Sequence, residues 1–159
     1  MVGVESGLEV IIVLVEGEIM GFLSFMKTGK VSLEDLTTKT LGELITKATD
    51  GKLLVDSKPT YEIAHEKKHD IDVMYRCCIS EIEKYRVIGQ APAPFYFERV
   101  AILARKAKNY DLEVEICEKY IDVMNEVYGE DRIGIKAGPR YASIEGRLSK
   151  AKDLQAKAK

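Results

Sequence analysis

The sequence predicts an all-α domain, a compact helical bundle with room for one short N-terminal strand or arm. Three observations predict it. Apolar residues recur every three or four positions through residues 60–86, 94–128 and 141–157, the period of an amphipathic helix rather than of a strand. Helix-start signals precede several of these stretches, and glycines or prolines punctuate the gaps between them. Only residues 8–15 form a strongly β-branched apolar run. At 159 residues the chain fits one domain that can bury roughly two thirds of the surface its unfolded form exposes, so folding requires neither a disulfide nor a metal.

The first element is Leu8 to Val15, LEVIIVLV. It is far too short to span a bilayer and has neither the basic start nor the small-residue cleavage pattern of a signal peptide. A buried strand or an arm lying on the helices is expected. Residues 1–19 also read as an N-terminal extension that is not native: Met20-Gly21-Phe22-Leu23-Ser24-Phe25-Met26 resembles a translation start, and Glu16-Gly17-Glu18 can be encoded by a purine-rich ribosome-binding sequence. Residues 20–157 then form a single helical domain. Peptides from before Met20 in the natively expressed protein would refute the late start.

Ser32-Leu33-Glu34-Asp35 fits a capping box loosely and Thr40-Leu41-Gly42-Glu43 fits it fully, since the hydroxyl can accept from an exposed amide while the acid reaches back. The second box opens a short helix from Leu41 to Thr49, ended by Gly51. After a connection through Pro59, Thr60 is expected to cap one long helix reaching Arg86. Its buried stripe would be Tyr61, Ala64, Ile71, Met74, Tyr75, Cys78, Ile82 and Tyr85. The loop Gly89 to Ala93 precedes Pro94, a residue suited to a helix start. Phe97, Val100, Ala101 and Ala104 should then face Val114, Cys117, Tyr120, Ile121 and Met124 across a turn at Lys108-Asn109-Tyr110, the small residues allowing close approach. A loop over residues 130–140 and a last helix from Tyr141, with seam Tyr141, Ile144, Leu148, Ala151 and Leu154, complete the chain.

Charge and cysteine content narrow the function. A net charge of −2 provides no global field for collecting phosphates, and no aromatic beyond Tyr141 is interleaved with the bases of the last helix, so nucleic-acid binding is disfavoured. Eight acids and one lysine fall between Asp111 and Asp131, and seven bases and two acids between Lys136 and Lys159. These segments are expected to attract each other as adjacent helices or to be solvated faces, with contact of the basic tail to an acidic partner as the alternative. Three cysteines, two of them adjacent, lack disulfide or zinc spacing, which points to a reducing, cytoplasmic setting. Thr28-Gly29-Lys30 lacks the remainder of a phosphate loop, and no Gly-x-Ser-x-Gly occurs.

One stretch carries chemistry. His65-Glu66-Lys67-Lys68-His69 contains the only two histidines of the chain, spaced so that one helix would present both to a zinc ion while Glu66 activates the metal-bound water. It resembles the zincin peptidases, which implies His65 and His69 as ligands and Glu66 as general base of a zinc-dependent hydrolase. Lys67 and Lys68 oppose this, because their ammonium groups repel a dication and resist burial. The two histidines also lie more than about 100° from the apolar stripe of a continuous helix, and a third ligand is unmarked, leaving Glu81, Glu83 or a distant acid.

The hairpin carries a second resemblance. In FERVAILARKAKNYDLEVEICEKYI, Phe97 to Ile121, the residues Phe97, Val100-Ala101, Ala104, Tyr110 and Tyr120 resemble the pattern of a tetratricopeptide unit. The similarity spans about 25 of 159 residues. Glu113 stands where that family places a small alanine, predicting a looser or rotated helix pair, and the family's later proline is missing. Together with MGFLSF, the chain resembles small bacterial or phage proteins of unknown function with tetratricopeptide-like helices. The resemblance implies a partner-binding scaffold and carries over no catalytic residue. The function expected is therefore non-enzymatic protein–protein interaction, without cofactor or membrane, with a homo-oligomer left open. The zinc hydrolase is the alternative.

Overall fold

The computed structural model describes residues 28–129 and 138–158. The expected strand over residues 8–15 and the alternative start at Met20 lie outside the described residues. Seven α-helices occupy those residues: α1 Leu33–Thr38, α2 Leu41–Ala48, α3 Thr60–Lys67, α4 Ile71–Ile88, α5 Pro94–Lys106, α6 Tyr110–Tyr128 and α7 Gly138–Ala158. Among the described residues the only β pairing is an isolated antiparallel bridge between Val55 and Lys58, so the all-α expectation holds.

Both capping boxes form completely. Ser32 and Asp35 exchange hydrogen bonds at the start of α1, and Thr40 and Glu43 do so at the start of α2. Asp35 is buried beneath this turn and receives Lys47 Nζ at 2.6 Å. That contact and the Ser32 backbone hold its carboxyl far below the usual carboxylate range. Val31, Leu44 and Ala48, with Leu36, Ile45 and Ile88 against them, form a small apolar cluster apart from the main core.

The single long helix expected from Thr60 to about Arg86 is two helices. α3 ends at Lys67, and Asp70 restarts the helix by accepting from the Asp72 and Val73 amides at 3.1 Å. Residues 66–70 are all polar or charged and have no apolar side chain to bury, so a cap and a turn compete well there with one more helical turn. Thr60 does not cap α3 either. Pro59 occupies the cap position, and the Thr60 hydroxyl donates to buried Glu81 at 2.8 Å. Because α3 is reoriented, Tyr61 leaves the expected stripe and is 70% exposed, while Ile63 and Ala64 are buried. α4 closes on Gly89, which takes the left-handed φ of 73° that permits its amide to bond Tyr85 O.

The hairpin lies at the centre. Phe97, Val100, Ala101 and Ala104 of α5 are fully buried, as are Ile116 and Tyr120 of α6. The turn is Ala107 to Asn109, with Asn109 capping α6 through a bond from Leu112 N. α5 packs against α4, α6 and α7, and α7 lies on α6 as well. Phe97 and Tyr120 are 4.9 Å apart between ring centroids, and Tyr141 of α7 approaches Tyr120 at 6.2 Å. α7 begins at Gly138, three residues before the expected Tyr141, and buries Tyr141, Ile144 and Ala151.

Glu113 does not stand out of the helix contact. Its side chain is completely buried and faces two arginines. Oε2 accepts from Arg105 Nε at 2.9 Å, and Oε1 lies 2.8 Å from Arg105 Nη2 and 3.7 Å from Arg147 Nη1. Among the described residues no hydrogen bond is directed at Oε1, so its attraction to the two arginines is ionic. Arg105 also donates to the Arg147 carbonyl at 3.2 Å, which ties α5, α6 and α7 at one point.

Candidate functional site

The HEKKH stretch is divided by the end of α3. His65 lies on that helix, Lys68 follows its last residue, and His69 sits in the turn before α4. Both imidazoles are exposed, but they no longer occupy successive turns of one helix, the geometry on which the zinc-hydrolase alternative rests. His69 Nδ1 is 2.7 Å from Arg99 Nη2, and Arg99 Nε donates to the Lys68 carbonyl at 2.6 Å. A guanidinium thus already fixes the imidazole to α5. Glu66 pairs with Lys58 at 2.6 Å, which holds its carboxyl below the ordinary value and weakens it as a base. Among the described residues no three or more His, Cys, Asp or Glu side chains cluster as metal ligands.

The cysteines are free and buried. Burial pushes the Cys77 thiol up to about 11 and the Cys117 thiol up to about 12, so neither supplies a thiolate near neutral pH. Around Glu81 a polar centre is equally closed. Its oxygens take the Thr60 hydroxyl at 2.8 Å, the Lys84 ammonium at 2.8 Å and the Ala93 amide at 3.2 Å. The cavity beside it, between α2 and α4, has a volume of about 80 Å³. With Ser80 donating to Leu53 O, this centre locks the start of α3 and the loop before α5 onto α4.

The basic last helix is also engaged. Arg140 and Ser143 bind Glu98, Arg147 approaches Glu113, Lys152 binds Glu118 at 2.8 Å, and Gln155 donates to Asp111. The acidic and basic segments therefore meet within the molecule, as adjacent helices. Among the described residues no helix is long and apolar enough to cross a membrane.

Among the open depressions is a groove between α4 and α6, about 360 Å³ in volume. Ile79 and Ile82 of α4 and Val123 of α6 form its apolar floor, and Glu83, Arg86, Lys119, Asp122 and Glu126 form its rim. Ile79 is 37% exposed although it sits mid-helix with fully buried Cys77 and Cys78 just before it. The surface continues past Ile79 and Glu83 into a second depression bordered by Leu53, Leu54 and Tyr75. Beside the groove the Tyr75 hydroxyl donates to Glu115 at 2.7 Å, which raises the phenol to about 12.

No protein-family model, curated protein or solved structure matches this chain.

The groove's own geometry is thus what defines the site. Ile82 was expected on a buried stripe and is half-buried at the groove. Ile79 falls outside that stripe, and an isoleucine on the solvent side of an amphipathic helix is the sequence signal that could have marked the site. Asp122 and Glu126 read as part of a general acidic run, and nothing local distinguishes them from Glu118, which the fold pairs with Lys152.

Proposed function

We propose that the chain is a non-enzymatic protein-interaction or scaffold protein, working inside a reducing compartment, and that the α4–α6 groove is its binding surface. The observation that carries this reading is Ile79, an aliphatic side chain left exposed in a groove between two long, well-packed helices. Clustered apolar surface on a rigid scaffold is where partner segments find desolvation energy. The resemblance of Phe97 to Ile121 to a tetratricopeptide unit supports the same reading, since such helix pairs serve as partner-binding scaffolds. Three cysteines kept as free, buried thiols support the compartment.

Affinity purification from native cells with the wild-type chain and with Ile79→Asp tests the proposal. One stoichiometric protein should copurify with the wild type and be lost from the variant, with both proteins melting at the same temperature. Equal recovery by both would overturn the assignment of the groove.

A further inference from the structure

The rim of the groove has a charge imbalance that specifies its occupant. Among the described residues two cations face the groove, and both are already paired: Arg86 with Glu83 on α4, and Lys119 with Glu115 at 3.5 Å on α6. Asp122 and Glu126, one helical turn apart and both exposed, form no ion pair or hydrogen bond among the described residues. Glu115 is additionally shared with the Tyr75 hydroxyl. The apolar floor is therefore flanked on the α6 side by two carboxylates that have no ion-pair or hydrogen-bond partner among the described residues. An acidic or neutral segment would leave them unpaired, whereas a cationic one would complement them.

Resting on the reading of the groove as a protein-binding surface, we infer that it takes a cationic amphipathic segment of a partner protein. An aliphatic side chain of that segment sits on Ile79 and Ile82, and lysines or arginines within one turn of it meet Asp122 and Glu126. Ile79 and Ile82 on α4 and Asp122 and Glu126 on α6 lie across the groove from one another, so a segment lying along it touches both sets at once. The apolar contact and the charges act together, because exposed ion pairs contribute little each. The two carboxylates set the preference, at roughly tenfold for two pairs, and that preference weakens with salt.

A random 12-residue peptide library displayed on phage and panned on the full chain, with counter-selection on Ile79→Asp, tests this. Groove-dependent peptides should carry lysine or arginine around an aliphatic residue. Their affinity, read by fluorescence anisotropy, should fall about tenfold in Asp122→Lys/Glu126→Lys and also fall on raising salt. That double variant alters only exposed side chains without an ion pair or hydrogen bond among the described residues, so it keeps the test valid if Ile79→Asp fails to fold. Groove-dependent peptides that are neutral or acidic, with affinities unmoved by the double variant, overturn the cationic assignment and leave the groove as a binding surface. Peptides held equally by Ile79→Asp, or no enrichment at all, overturn both. A dimer in sedimentation that Ile79→Asp dissolves would make a second copy the occupant and overturn the cationic partner.

Discussion

Glu113 occupies the inside of a helix contact because two guanidiniums from other helices reach it, one from α5 and one from α7. Removing one member of a buried ionic group leaves the others uncompensated, at about 3–5 kcal/mol for a fully buried pair. Arg105 and Arg147 keep 27% and 26% of their side-chain exposure, so water offsets part of the loss. Glu113→Ala should therefore destabilise the fold by about 2–3 kcal/mol in urea unfolding, and Arg147→Met by much less, since Arg105 still neutralises the acid. Tyr120 shows the opposite case. Its hydroxyl is buried without a partner among the described residues, so Tyr120→Phe should leave the packing intact and raise stability by about 1 kcal/mol. At His69 the imidazole serves the α3–α4 corner through Arg99. His69→Ala should leave the zinc content of purified protein unchanged, and one zinc per chain lost on that substitution would restore the hydrolase alternative.

At the level of helices, most boundaries were legible because their causes are local. The two capping boxes, Gly89 after α4 and Pro94 at the start of α5 act within a few residues of themselves. The break between α3 and α4 was less legible. Apolar residues keep a helical spacing across it, and only the polar run before Asp70 interrupts them, so periodicity alone reads straight through. Asp70→Ala should reduce stability by about 1 kcal/mol in thermal or urea unfolding; an unchanged protein would mean that Arg99 and the packing of α3 hold the corner without the cap. The early start of α7 at Gly138 has a similar origin, because Arg140 gains Glu98 of α5 only once the chain is folded.

For the molecule as a whole, stability should have an upper and a lower pH limit. Burial raises Cys77 to about 11 and Cys117 to about 12, while an unfolded cysteine titrates near about 8.5. Their contribution is fully present below that value and is lost as pH rises towards 11–12, because only the unfolded chain then sheds the protons. Asp35, Glu43, Asp50, Asp56 and Glu66 are shifted the other way by lysine, arginine or capping partners. Their contribution is present above the unfolded carboxylate values near about 4 and is lost as pH falls through the lower folded ones. A melting-temperature profile flat near neutrality and falling on both sides is expected; a profile still rising above pH 9 would contradict the burial of the thiols. The sequence by itself determined the helical class and the central hairpin, because helical period and capping are properties of neighbouring residues, and it offered the attraction of α6 and α7 as one of several fates for their opposite charges. Only the tertiary structure decided which acid is buried and which is left open. Glu113, Glu118, Asp122 and Glu126 lie on the same helix and differ only in what the folded chain brings opposite them: Arg105 and Arg147, Lys152, or a groove floored by Ile79.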